Sequence, residues 1–468
     1  MKPIEKALRN LTFLFIGSFT LYMLMTTQFV TLRRLELTER EDNPRRVEIE
    51  KRVQRGSIFD RHGTLLAFSS SDTPRGYQRR TYLEPATYSL LGYASYQYGV
   101  NRIEARYDSL LMNETERQSL AQTSLLNLRE GIHVQLTLDA TWQSTLYELM
   151  QGHVGAGIVQ STRNGNVLAW LSLPSIDPNT LDQNWEALTA TENDPFFDRV
   201  AEGNYQPGGM LRLPLMISAL VEQVNLTTVY EGADQPIQVD TLELGCLASP
   251  PTSTLTLLES FYWGCPAPFI TALSASYPQP LINELELLQL HERVQPFAPD
   301  YAPTPIPRRL VELSPQRLLH TLSGQGTLTT SPLHMNRLMS AIVQNGNAYD
   351  PAFLLATSAD METWQPFSSL QPSRAFLSGE NAVFMRTQLS QSLQKGALQS
   401  LNWELGAEVG GMSGIGYSGN ANYVWFSGYA VGTDSEPIAL TLVIEDETDP
   451  LVVAQIARDF LASIHTSP

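Results

Sequence analysis

Residues 55–67 form the stretch RGSIFDRHGTLLA, from which the fold prediction for this chain starts. Two short apolar runs, Ser57–Phe59 and Leu65–Ala67, lie on either side of a polar segment that ends in Gly63. Apolar runs of this kind, separated by a glycine-containing segment, are typical of strands joined by a turn. We therefore expect two short strands here, directly after the N-terminal part of the chain.

The segment before this stretch predicts a membrane anchor. Residues 10–32 carry no charged side chain over 23 positions, and a helix of that length crosses a hydrocarbon core of roughly 30 Å. A cleaved signal peptide would have a shorter apolar stretch and a small-x-small exit site, which residues 26–34 do not offer. Lys and Arg lie on both sides of the span, so the positive-inside rule leaves its orientation open.

The part after this stretch predicts a mixed domain. Gly155–Gln160 and Val167–Leu173 are expected strands, joined near Asn164-Gly165, a dipeptide that favours a hairpin turn. Further along, the predicted elements are helices near 210–223, 256–275, 315–322 and 331–346, strands Tyr423–Val431 and Ile438–Glu445, and a last helix, Leu451–Ile464. Strands on both sides of a helical middle indicate an α+β domain whose sheet is built from both ends.

Composition limits the function classes. A chain of 468 residues with 43% hydrophobic residues is long and apolar enough for two or three packed domains. Residues 1–55 hold 11 basic and 7 acidic side chains, whereas the rest holds 20 basic and 41 acidic. Such an acidic body argues against nucleic-acid binding, which needs clustered Lys and Arg. The seven histidines show no metal-ligand spacing, and no cofactor is expected.

In this order, the motifs resemble the class B penicillin-binding proteins, the D,D-transpeptidases of bacterial cell-wall synthesis. The resemblance rests on residues 55–67, Ile103–Asp108, Leu136–Asp139 and Trp425–Tyr429. It implies an α+β fold with an N-terminal transmembrane helix, a β-rich pedestal domain and a penicillin-binding domain in which helices flank a central antiparallel sheet. It also implies a cytoplasmic tail (1–9), an anchor (10–32), a pedestal (33–130) and a transpeptidase-like domain outside the cytoplasm (131–468).

The chemistry of this family uses two lysines. A serine attacks the substrate carbonyl, and a lysine one helical turn later takes its proton. A Ser-x-Asn pair assists, and a Lys-Thr-Gly strand binds the substrate carboxylate. After Lys51 this chain has one lysine, Lys395, and so it cannot supply both.

The sequence flanking each motif places the expected positions here. The serine position, after Pro207-Gly208, is Gly209, and the lysine position is Arg212. Arginine keeps its proton at any working pH and cannot act as the base. The Ser-x-Asn position is Gly264-Cys265-Pro266, and the Lys-Thr-Gly position is Met412-Ser413-Gly414, with Ser413 expected on an edge strand that lines the cleft.

Other reactive groups are few. Ser392 and Lys395 form a Ser-x-x-Lys spacing late in the domain, out of family order. Cys265 has no neighbouring histidine in sequence to activate it. Cys246 and Cys265 either pair in a disulfide, worth about 3 kcal/mol in the chain-entropy model, or stay as two separate buried thiols.

We therefore expect a membrane-anchored penicillin-binding-protein homologue without transpeptidase activity, serving as a scaffold or regulatory partner in cell-wall synthesis. The resemblance implies a polytopic glycosyltransferase, or another cell-wall synthesis protein, as its partner. Two alternatives stay open. One is a module that binds peptidoglycan or muropeptide non-covalently through Arg212, and the other is an active transpeptidase with a non-standard nucleophile.

Overall fold

The structure, a computed structural model, describes residues 2–39, 51–71, 77–113, 130–274, 296–297, 315–325, 328–367, 373–419, 421–433 and 435–466. Its helices are α1 (Lys2–Glu39), α2 (Tyr88–Leu91), α3 (Arg102–Arg106), α4 (Asp108–Leu111), α5 (Ala140–Leu149), α6 (Leu181–Thr189), α7 (Arg212–Val221), α8 (Leu257–Trp263), α9 (Pro266–Ser274), α10 (Pro315–Leu322), α11 (Pro332–Val343), α12 (Gly379–Lys395) and α13 (Pro450–Thr466). Pro85–Thr87, Gly208–Leu211 and Gln399–Leu401 are 3-10 helices.

The strands are short in the N-terminal half and long near the C-terminus. They are β1 (Ile58–Phe59), β2 (Leu65–Ser71), β3 (Gln78–Tyr82), β4 (Ala94–Ser95), β5 (Gly99–Val100), β6 (His133–Leu136), β7 (Gly155–Ser161), β8 (Val167–Leu173), β9 (Val229–Tyr230), β10 (Ile237–Val239), β11 (Leu242–Leu244), β12 (Leu255–Thr256), β13 (Asn347–Tyr349), β14 (Leu354–Ser358), β15 (Gln365–Pro366), β16 (Ser373–Ala375), β17 (Glu408–Ser418), β18 (Ala421–Val431) and β19 (Ile438–Glu445).

A five-stranded antiparallel sheet forms the centre of the C-terminal part. Its order is β17-β18-β19-β7-β8, so strands from both ends of this part meet in one sheet. The β7–β8 hairpin turns at Gly165, whose φ of +80° suits a residue without a side chain. Helix α11 packs on β7, β18 and β19, and α13 packs on β17, β18 and β19. This arrangement confirms the predicted α+β fold with helices flanking a central antiparallel sheet.

A six-stranded sheet, in the order β15-β14-β6-β1-β2-β3, connects the two parts of the chain. Residues 55–67 supply β1 and the start of β2, which pair antiparallel. On its other side β1 pairs in parallel with β6, which in turn pairs antiparallel with β14. The predicted boundary between residues 130 and 131 thus falls inside a sheet that both sides share, and it stays a prediction.

The N-terminal helix α1 contains the apolar segment Lys6–Phe29, and this is the one helix among the described residues long and apolar enough to cross a membrane. Large apolar side chains along it, such as Leu14, Phe15 and Met25, are more than half exposed. A membrane-anchored protein is the arrangement that such a helix suggests. The helix is longer than the predicted span of 10–32. The span was bounded by the nearest charged side chains, whereas helical hydrogen bonding continues into the polar residues on both sides.

The predicted helix at 256–275 is divided in two. Helix α8 begins at a capping box in which Thr256 and Glu259 bond each other's backbone N–H groups. It ends at Gly264, whose φ of +73° is left-handed and breaks the helical path. Helix α9 then starts with Pro266, since the first helical position has no hydrogen bond to lose.

Candidate functional site

The two positions expected to carry the acyl-transfer chemistry stand at the start of a buried helix. Gly209 lies in the 3-10 turn Gly208–Leu211, and Arg212 begins α7 directly after it. Leu213, Met216 and Ile217 are almost wholly buried, and a helix that is apolar on all sides belongs in a protein core. The Gly208 N–H donates to the Gly324 carbonyl at 2.9 Å and fixes the turn.

The edge strand β17 lies directly against this turn. A Cβ atom built on Gly209 would be 3.1 Å from the Gly414 Cα, and one built on Gly414 would be 2.6 Å from the Met210 nitrogen. Contacts below 3 Å do not occur for real side chains, so Gly414 can carry no side chain here without a backbone shift. The positions expected for the family's serine and for its Lys-Thr-Gly strand are therefore in backbone-to-backbone contact.

Gly208 extends this contact along the strand. Its φ is +50°, and a Cβ atom there would overlap the Ile415 carbonyl oxygen. Gly324 adds a second close approach, because a Cβ on it would overlap the Gly208 carbonyl. We name Gly208, Gly209, Gly324 and Gly414 the glycine contact.

Arg212 is buried, with 6% of its surface exposed. Its Nη2 donates to the Ser413 carbonyl on β17 at 2.8 Å. Among the described residues no carboxylate lies within ion-pair distance of it, and its Nε is buried without a hydrogen-bond partner. Burial lowers the pKa of the guanidinium to about 10, which leaves Arg212 protonated at neutral pH and unable to act as a base.

The Ser-x-Asn position offers no reactive group. Gly264 makes room for the Arg212 guanidinium, which a Cβ atom at this position would overlap. Cys265 is bonded to Cys246, so neither sulfur is a thiol and the pairing that the sequence left open is present. Pro266 has neither an amide side chain nor a backbone N–H to offer a substrate.

The Lys-Thr-Gly position is occupied by groups with structural contacts. Met412 is 1% exposed in the main apolar core. The Ser413 hydroxyl donates to the Trp425 carbonyl at 2.6 Å. Ser413 therefore lies on the edge strand as expected, but its carbonyl, rather than its hydroxyl, is the group that meets Arg212.

The remaining nucleophile candidate lies elsewhere. Ser392 and Lys395 are in the last turns of α12; Ser392 is buried, whereas Lys395 is exposed. Neither residue lines the cavity beside Arg212. Over the described ranges, no group of three His, Cys, Asp or Glu side chains is placed to hold a metal ion.

A cavity of about 110 Å³ adjoins the glycine contact. Arg212, Gly264, Pro266, Gln325 and Tyr417 are among the residues that line it. Gln325 was not predicted as a site residue, because the local sequence Gly324-Gln325-Gly326 has no distinguishing chemistry. The position of Gln325 depends on the backbone contact between Gly208 and Gly324. Sequence spacing does not reveal this contact.

Two family models match this chain. The penicillin binding protein A dimerisation domain matches residues 55–131, and the penicillin binding protein transpeptidase domain matches residues 312–462. The peptidoglycan D,D-transpeptidase PbpA of Mycolicibacterium smegmatis is 25% identical over 438 residues, which are 85% of this chain and 85% of that protein. MrdA of Escherichia coli, also a peptidoglycan D,D-transpeptidase, is 29% identical over 141 residues, 27% of this chain and 22% of MrdA.

Solved structures show the same fold. The imipenem acyl-enzyme complex of penicillin-binding protein A from M. tuberculosis superposes with a TM-score of 0.77 at 22% identity, over 89% of this chain and 99% of that one. Penicillin-binding protein 2 from Pseudomonas aeruginosa gives a TM-score of 0.72 at 18% identity, over 89% of this chain and 96% of that one. The architecture described above is thus shared by proteins of this kind.

Proposed function

Since this chain belongs to the class B penicillin-binding proteins, we propose that it is a membrane-anchored member which serves peptidoglycan synthesis without catalysing transpeptidation. The observation that carries this proposal is the backbone contact between Gly209 and Gly414. A serine at position 209 would provide the attacking oxygen, and the strand beside it would hold the substrate. Here the first group is missing, and the strand lies against the helix start where the serine would stand.

The orientation that we propose places the body outside the cytoplasm. The disulfide between Cys246 and Cys265 supports it, because disulfides persist in oxidising compartments and are rare in the cytosol. The apolar segment Lys6–Phe29 then acts as the anchor, with the first residues of the chain on the cytoplasmic side.

The role that we propose is that of a scaffold or regulatory partner. A helix whose apolar side chains are exposed along its length can pack laterally against other membrane helices. Gly17 leaves room for another helix to pack closely, since no atom of the described chain lies within 4 Å of a Cβ built there. Small residues allow helices to pack closely in membranes. A polytopic cell-wall glycosyltransferase is the partner that the family suggests.

Genetic complementation tests this role. In a strain that lacks the protein, the double variant Ser392→Ala/Lys395→Ala should restore growth and shape as well as the unchanged chain, because the last Ser-x-x-Lys pair performs no chemistry. A chain whose residues 1–39 are exchanged for an unrelated single span should be made in equal amount and should fail to restore them, because it lacks the lateral contact.

Two results would contradict this account. Loss of complementation by the double variant, with the protein still folded and present, would indicate catalysis through Ser392. Full complementation by the exchanged anchor, together with no polytopic partner recovered in mild detergent, would refute the scaffold role.

A further inference from the structure

Arg212 is an unusual charge for a protein interior. It is 6% exposed, lacks a carboxylate partner among the described residues, and has one buried nitrogen, Nε, without a hydrogen bond. Replacing a buried ionic group by a well-packed apolar side chain is often neutral or stabilising. A fold that needed only packing at this position would therefore be better served by leucine or methionine.

Gln325 also lines this cavity. It is 3% exposed, and within the described part of the chain neither its side-chain oxygen nor its side-chain nitrogen, both buried, has a hydrogen-bond partner. Its backbone N–H donates to the His320 carbonyl at 2.8 Å, which ties it to the end of α10. Buried amide groups are nearly always hydrogen-bonded, so these two polar side chains on one cavity offer hydrogen-bonding groups to a polar occupant.

The walls of the cavity limit what that occupant is. Apart from Arg212, Gln325 and the hydroxyl-bearing Ser323 and Tyr417, much of the lining is apolar and includes Leu215, Leu247 and Phe269. One guanidinium balances one negative charge, and a second charge against apolar walls would be left uncompensated. A volume of about 110 Å³ accommodates a few non-hydrogen atoms. A monoanion with a short aliphatic stem satisfies both limits better than a phosphate dianion.

We propose that this cavity binds a small carboxylate, with Arg212 and Gln325 as donors to its oxygens and the apolar walls around its alkyl stem. Hydrogen bonds between a guanidinium and a carboxylate are among the stronger ones in proteins, and the Gln325 amide nitrogen supplies a neutral second donor. This inference rests on the proposed function in one respect. If the protein does not catalyse acyl transfer, a carboxylate bound in this cavity is released chemically unchanged.

The test compares propionate with propionamide, which has nearly the same shape and no charge. With the full-length protein in detergent, propionate should raise the midpoint of thermal unfolding in a concentration-dependent way, because a ligand that binds the folded state stabilises it. Propionamide should not. Arg212→Met should weaken propionate binding roughly tenfold or more, while the unliganded variant unfolds no earlier than the unchanged protein.

Gln325→Met should also weaken propionate binding, by a smaller factor. The matched control is Arg163→Met, which removes the same charge from an exposed position and should leave propionate binding unchanged. Equal shifts with propionate and propionamide, or an Arg212→Met variant that responds like the unchanged protein, would overturn the proposal. So would protection by inorganic phosphate in place of propionate.

The two proposals fail in different experiments. A β-lactam adduct on this protein would refute the non-catalytic role and leave the propionate result standing. Absence of a propionate response would remove the carboxylate site and leave the non-catalytic role as it is.

Discussion

Replacing Glu104 with glutamine is expected to lower the free energy of unfolding by about 3–5 kcal/mol. Glu104 is completely buried in α3 and accepts hydrogen bonds from two arginines, Arg55 through Nε and Arg80 through Nε at 2.7 Å. The Tyr82 hydroxyl donates to it at 3.1 Å. Glutamine keeps the shape but removes the charge, so two buried guanidinium groups lose their shared counter-ion.

The measurement is chemical or thermal unfolding of the full-length protein in detergent. Glu84→Gln serves as control, because Glu84 is half-buried in the same region and has no ion pair within the described residues; its effect should stay within about 0.5 kcal/mol. Equal stabilities of the Glu104→Gln and Glu84→Gln variants would contradict the prediction.

Because of the Glu104 carboxylate, we also expect the free energy of unfolding to decrease in acid. Burial by itself would raise the pKa of Glu104, but Arg80 and Arg55 outweigh it, so that the pKa is lowered in the folded protein. The stabilisation is therefore complete above the unfolded-state pKa of about 4.3 and is lost as the pH falls through the lower folded-state value. This part of the pH dependence should be absent from Glu104→Gln.

Gly208→Ala is the second large effect, with an expected loss of about 3 kcal/mol. The added Cβ would overlap the Ile415 carbonyl oxygen. The alanine would also have to adopt the left-handed backbone conformation that Gly208 has here. Either the turn or the edge strand β17 must move, which opens the glycine contact. The loss should appear as a lower unfolding midpoint.

Gly245→Ala is the matched control for this variant. Gly245 lines the same cavity, yet no atom of the residues that the structure describes lies within 4 Å of a Cβ built on it, and its φ is not in the left-handed region. Its stability should stay within about 0.5 kcal/mol of the unchanged protein. If Gly208→Ala behaved like Gly245→Ala, the close packing of the turn on β17 would be wrong.

Features set by local pattern were predictable from the sequence. The apolar segment and the β7–β8 hairpin at Asn164-Gly165 follow from composition and turn chemistry within a few residues. The positions expected for the family's reactive groups were assigned from their flanking residues, and that assignment stays a prediction.

Features set by long-range contact were not predictable. Gly209 and Gly414 are 205 positions apart in the sequence, and nothing near either one indicates that their backbones touch. The same holds for Gln325 and Arg212 lining one cavity, and for β6 joining β1 in one sheet. The break at Gly264 was missed because the apolar periodicity of residues 256–275 continues across it, whereas the backbone reverses there to place Cys265 beside Cys246.

We propose that the fold of a transpeptidase is present here without a group that can be acylated. The direct test is the intact mass of the full-length protein in detergent after incubation with a penicillin, a cephalosporin and a carbapenem, beside an active D,D-transpeptidase treated in the same way. We expect the active enzyme to gain the mass of each drug and this protein to gain none. A stable adduct on any residue of 131–468, mapped by peptide sequencing, would contradict the account.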